Sequence, residues 1–147
     1  MIAEEKSEPL QKFVHDGFVK WSHQDPSRTA ICFGESVLSY GDVYQRSASF
    51  AAEVDRRKAR RVGICLPNSP AVIEVFLGTL MAGSCVCLFD PAWPIMLIQD
   101  LINDHAPDMF VAQSDVLAQL SFEQGPTTTL SIDSHKFELE GNHEVGT

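Results

Sequence analysis

The stretch Leu80–Pro94, LMAGSCVCLFDPAWP, constrains this chain most. An apolar helix ends at Ala82-Gly83, where glycine supplies the left-handed turn that closes a helix at little steric cost. A strand follows from Ser84 to Phe89, and Val86, Leu88 and Phe89 suit a strand covered on both faces. Asp90-Pro91 stops it, and Pro94 opens the next helix. This is a helix–strand–helix junction of a parallel sheet, and it carries no reactive group of its own.

The rest of the chain extends that pattern. Leu10, Phe13, Val14, Phe18 and Trp21 recur at helical spacing, which predicts a helix over residues 9–24. A hairpin is predicted next, with Thr29–Phe33 turning at Gly34-Glu35 into Ser36–Leu38. Ser39 and Asp42 have the spacing of a capping box, opening a helix with Tyr40, Val43, Tyr44, Ser47, Phe50, Ala51 and Val54 on its inner face. The strand Val62–Leu66 leads to a helix capped by Ser69 with Pro70 in its first turn. That helix is apolar nearly all round. Pro94–His105 forms another helix, with Ile95, Ile98, Leu101 and Ile102 inward. Asp108–Ala112 is a strand, Ser114 caps a short helix, and residues 127–132 form a last strand. Strands alternating with helices give an α/β fold, a mostly parallel sheet flanked by helices. Residues 1–132 are read as one α/β unit and residues 133–147, polar and without period, as a linker or tail.

Composition narrows the function. A compact fold of 147 residues buries roughly 68–70% of its unfolded surface, and 44% hydrophobic residues suffice for a core. The formal charge of −9 argues against nucleic acid as a partner. The one basic run, Arg56-Arg57-Lys58-Ala59-Arg60-Arg61, could meet a phosphate, but a solvated helix end is the preferred reading. No segment reaches membrane-spanning length and no apolar signal core opens the chain, so a cytoplasmic protein is expected. Cys32, Cys65, Cys85 and Cys87 fall in strand-like segments without a CxxC pair, which disfavours zinc or redox use. Cys85 and Cys87 share a face of their strand.

Ligands of open parallel sheets bind outside the carboxyl ends of strands. The loops there are Pro67-Asn68-Ser69-Pro70, Asp90-Pro91-Ala92-Trp93 and Gln113-Ser114. Asn68 and Ser69 could donate to an anion, with helix capping as the alternative. Asp90 could be an acid, base or metal ligand, or a turn former. Trp93 could stack on a ligand, or pack at the sheet edge. Gly78 and Gly83 have phosphate-loop spacing, but an apolar helix lies between them and Ser84-Cys85 stands where Lys-Ser/Thr belongs. His15 and His23 lie eight apart, which is not metal-pair spacing on a helix. His105 sits at a helix end where its cationic form suits the dipole. No constellation rises above a structural role.

Several stretches together resemble one family. LSYGDV (38–43) is similar to the early L-S/T-Y-x-E-L signature of the acyl-adenylate-forming, AMP-binding superfamily. This superfamily includes acyl-CoA synthetases, peptide-synthetase adenylation domains and luciferases. VGICLPNSPAVIEVFLGTLMAGSCVCLFDPAWP (62–94) resembles its next block, and WSHQDPSRTAICFGES (21–36) its opening. Met81 stands in place of the usual Lys, and Phe89 and Trp93 also depart from the pattern. The resemblance runs from about Leu10 to Val111. It implies the first subdomain of an adenylate-forming enzyme, an ATP-dependent acid–thiol ligase, with acyl-CoA synthetase preferred over a peptide-synthetase adenylation domain. It implies ATP, Mg²⁺ and CoA for the full-length enzyme and none for this chain alone. The remainder of the same enzyme is the expected partner and a carboxylic acid the expected substrate. The family's phosphate loop, its nucleotide- and magnesium-holding residues and its catalytic lysine have no counterpart here. No position is therefore assigned as catalytic, cofactor-binding or metal-binding, and the chain alone is expected to be inactive. A free-standing interaction module is the alternative from a different class.

Overall fold

The computed structural model describes residues 12–123 and 125–137. In chain order the elements are α1 (Asp16–Gln24), β1 (Thr29–Phe33), β2 (Ser36–Ser39), α2 (Tyr40–Arg56), β3 (Arg61–Cys65) and α3 (Pro70–Met81). Then come β4 (Cys85–Leu88), α4 (Ile95–His105), β5 (Met109–Ala112), α5 (Ser114–Leu117) and β6 (Thr128–Ser131). β1 and β2 form an antiparallel hairpin. The other four strands form a parallel sheet in the order β4-β3-β5-β6. The predicted α/β architecture is the observed one.

Two apolar layers cover the sheet. On one face Val62, Ile64, Met109 and Val111 pack against Phe50 and Val54 of α2 and Ala71 and Val75 of α3. On the other, Cys65, Phe110 and Ala112 meet Ile98 and Ile102 of α4, with Val116 and Leu117 of α5 alongside. α2 and α3 therefore lie on one side of the sheet, α4 and α5 on the other. Ser39 caps α2 as expected: its hydroxyl accepts from Asp42 N at 3.1 Å, and the Asp42 carboxylate accepts from Ser39 N at 3.1 Å. Gly83 ends α3 in the left-handed region, at φ +75°.

Four expectations are corrected. The first helix starts at Asp16, because the Asp16 carboxylate accepts from the amides of Lys12 and Phe13 and folds that stretch into a turn. Phe13 and Val14 are consequently exposed and only Phe18 faces inward, 5.9 Å from Tyr40. Leu10 lies outside the described residues. Second, β4 is the sheet edge, so it is not covered on both faces and Leu88 is 58% exposed. Third, Ser69 and Ser114 do not cap with their hydroxyls. Ser69 Oγ donates to Pro67 O at 3.0 Å, and Ser114 is itself the first residue of α5, its hydroxyl bonded to Asp133.

The fourth concerns the segment after β6. Residues 133–137, read as the start of a polar tail, are docked. Ala71 N donates to His135 O at 2.9 Å, and His135 packs on Phe33. Phe137 is buried edge-on to Phe50, ring centroids 5.2 Å apart. Its amide donates to Glu74 Oε2 at 2.7 Å. Residues 138–147 lie outside the described residues.

Candidate functional site

Connections leaving β3 and its two neighbours diverge. The chain leaves β3 toward α3 on one face, but leaves β4 and β5 toward α4 and α5 on the opposite face. Adjacent strands whose connections part in this way leave a crevice outside their carboxyl ends. Here it lies at the end of β3, between the Asp90 loop and the Ser114 loop. All three loops singled out from the sequence reach it.

Their side chains are largely committed to local geometry. The Asp90 carboxylate accepts from Ala92 N at 2.8 Å, which makes it a turn former. Trp93 is 39% exposed at the sheet edge. Asn68 is exposed before α3, whose first residue, Pro70, needs no amide partner. Ser114 donates to Asp133 from both its amide and its hydroxyl. Those two bonds hold the Asp133 carboxyl below its ordinary range, the hydroxyl contributing most. Cys65 closes the floor. Burial, and then the nearby Asp90 charge, push its thiol up to about 11, so it is not a nucleophile at neutral pH.

The sequence did not single out Asp133 or Glu74. Asp133 follows the last strand directly, a position that could have placed it among the carboxyl-end loops. Glu74 is the lone acid in an otherwise apolar helix, which is itself a signal. It is fully buried, bridging Arg46 Nη1 at 3.3 Å and the Phe137 amide. Burial raises its carboxyl above the ordinary range, and those two donors only partly oppose this.

The other candidates lie away from the crevice. Arg56 and Arg57 pair with Glu53, Arg61 donates to His105 O, and the Arg60 and Arg61 amides meet the Asp108 carboxylate. The basic run thus sits at the amino end of β3. His23 Nδ1 bonds Val19 O at 2.8 Å and His15 stacks on Phe13. Gly78 lies inside α3, so no phosphate loop forms there. Among the described residues no group of three or more His, Cys, Asp or Glu could hold a metal ion. The crevice loops carry Asp90 and Asp133 but no Lys or Arg, so these residues alone do not fit a triphosphate.

The sequence profile of the family described as "AMP-binding enzyme" matches residues 18–145. The chain belongs to the AMP-binding enzyme family. A polyketide–peptide hybrid synthetase of Aspergillus candidus is 30% identical over 128 residues, 85% of this chain and 5% of that protein. Bacitracin synthase 3 of Bacillus licheniformis is 27% identical over 130 residues, 86% of this chain and 2% of that protein. The chain thus spans a small fraction of the curated relatives it matches. Among solved structures, the nonribosomal peptide synthetase FmoA3 in its AMPPNP-bound form superposes with a TM-score of 0.76 at 20% identity. That match covers 92% of this chain and 15% of that one. A fatty acid AMP ligase from Legionella pneumophila superposes at 0.64 and 20% identity, over 78% of this chain and 22% of that one. For an AMP-binding enzyme, the described crevice is a frame of strands and turns that lacks cationic side chains. No helix among the described residues is long and apolar enough to cross a membrane.

Proposed function

We propose that this chain is the N-terminal scaffold of an adenylate-forming domain. The complete protein would activate a carboxylic acid with ATP, release pyrophosphate and pass the acyl group to a thiol. The observation that carries this reading is the family match across residues 18–145, together with the alignment of β3, α3 and β4 with the resembling block at 62–94. The chain's own part is mechanical. It fixes the floor of the crevice with Cys65 and its near wall with the Asp90 turn, and the Ser114–Asp133 pair ties β5 to β6. The groups that would offset phosphate charge come from outside the described residues.

The acid is proposed to be an amino acid and the acceptor a carrier-protein thiol, in place of the CoA expected from sequence. The names of the relatives favour this: gramicidin and bacitracin synthases and hybrid synthetases predominate.

The test is acid-dependent exchange of pyrophosphate into ATP, run with Mg²⁺ on the complete protein and on residues 1–147 alone. Exchange is expected from the complete protein with one or a few amino acids, and background from the isolated chain. Enzyme-like exchange by the chain alone would overturn the scaffold role. No exchange by the complete protein across amino, fatty and aryl acids would overturn the activation reading and leave the interaction module. Exchange with fatty acids and transfer to CoA would restore the acyl-CoA synthetase assignment.

A further inference from the structure

The edge strand β4 carries two cysteines two residues apart, and alternate residues of a strand share a face. Their face is the one on which α4 packs, where Cys87 joins the Phe89–Phe110 cluster. In the parallel register β3 presents Arg61 opposite Cys85 and Gly63 opposite Cys87. The space beside Gly63 is already filled: a Cβ there would lie 2.6 Å from Phe110 and 3.2 Å from Phe89. Aromatic carbon therefore closes the inner side of Cys87 and leaves Cys85 as its polar neighbour. Both thiols are free, Cys85 exposed and Cys87 half-buried. Burial and then the Cys85 thiol, by charge and hydrogen bond, raise Cys87, while Arg61 partly opposes them. Among the described residues no strand pairs with the outer side of β4.

We infer that Cys85 and Cys87 form a dithiol site for a trivalent thiophilic centre, of which an organoarsenic(III) group is the chemical type, entered from the open edge of the sheet. Soft thiolate pairs select soft centres. Four-coordinate zinc is not matched, since no third His, Cys, Asp or Glu ligand joins the pair among the described residues. A direct disulfide is not matched either. Two strand residues advance roughly 6.6 Å, and parallel Cβ vectors keep that spacing, whereas a disulfide needs Cβ atoms about 3.5–4.5 Å apart. A bridging atom removes the conflict. The step is a condensation: R–As=O plus two thiols gives R–As(S–)₂ plus water. Two S–H bonds and the As=O bond break, two As–S bonds form, the oxygen leaves as water, and nothing is oxidised.

The experiment titrates the reduced chain with phenylarsine oxide, then counts free thiols and maps by mass spectrometry which cysteines resist alkylation after denaturation. One arsenical per chain is expected, protecting Cys85 and Cys87 together and reversed by a small dithiol. C85S and C87S should each weaken binding about 10²-fold or more, the loss expected when a second tethered contact is removed. C32S should bind as the parent does. Protection of Cys32 or Cys65, loss of a single thiol, or parent-like binding by C85S would overturn the site. Thiol mapping in the unmutated chain needs no variant, and Cys85 is exposed, so a misfolded C87S does not spare the inference.

Discussion

Glu74 should be the most consequential single side chain outside the apolar layers, and its replacement can be worked through. In Glu74→Ala the Phe137 amide loses a buried acceptor, which costs about 1–3 kcal/mol. The space left by the carboxyethyl group adds about 1–2 kcal/mol. Arg46 is 23% exposed and can turn to water, so its share is below about 1 kcal/mol. Relief of a buried carboxyl works the other way, and the net expectation is about 3 kcal/mol, close to the usual cost of breaking a buried pair. In urea this is a midpoint shift of about 1.5 M for a slope near 2 kcal/mol/M. Glu74→Gln keeps an acceptor for Phe137 and should cost about 1 kcal/mol. The pH dependence gives a second check. Burial raises the folded carboxyl above its ordinary 4.5, so its contribution is whole below 4.5 and fades as pH rises through the raised value. The margin of the parent over Glu74→Gln should therefore shrink from pH 4.5 to 8. Carboxyls held low, such as Asp42 and Asp133, titrate alike in both proteins and cancel. The assay is urea unfolding followed by far-ultraviolet circular dichroism at several pH values. A Glu74→Ala cost under about 1 kcal/mol, or a margin that grows with pH, would refute the reasoning.

Other parts of the fold can be probed in the same way. Gly78→Ala would place a Cβ 2.5 Å from Ser47 O and 3.0 Å from Phe50 Cβ, so it should destabilise by about 1–3 kcal/mol despite alanine's better helix propensity; a rise in melting temperature would contradict that crossing. Ser39→Ala should cost about 1 kcal/mol through the lost cap, seen as a lower urea midpoint. The Ser39 amide and hydroxyl bonds hold Asp42 below its ordinary 3.8, so Asp42→Asn should be weaker than the parent at neutral pH and converge with it as acid protonates Asp42. Iodoacetamide at pH 8 should alkylate exposed Cys32 and spare Cys65, whose thiol stands at about 11; peptide mapping that finds Cys65 modified in the folded chain would count against its burial.

Local chemistry made much of this fold readable. The Ser39–Asp42 spacing, Pro70 at a helix start, Gly83 at a helix end and the apolar runs of β3 and β5 are each decided by residues within a few positions. What could not be read was decided at a distance. Leu88 looks like a core residue, but its exposure follows from the order of strands, which places β4 outermost. The hydroxyls of Ser69 and Ser114 had two possible partners each, and tertiary geometry chose Pro67 O and Asp133. Phe137 sits in a polar stretch with no period, and only the Phe50 ring and the Glu74 carboxylate explain its burial. The loops of the crevice were identifiable from the carboxyl ends of their strands. The charge that would suit a nucleotide there was not, because these loops do not carry it.

The Glu74–Phe137 bond also sets a timetable. Its partners are 63 residues apart. At about 5–20 residues per second, a ribosome makes Glu74 roughly 3–13 s before it makes Phe137. Through that interval α3 can form and pack against α2, while its one acid lacks the amide that later holds it. An emerging chain that buries α3 early must do so with Glu74 protonated or with Arg46 as its sole neutralising partner. The last residues of this unit therefore act as its closing fastener, and a nascent chain stopped short of Phe137 should be caught open at that seam.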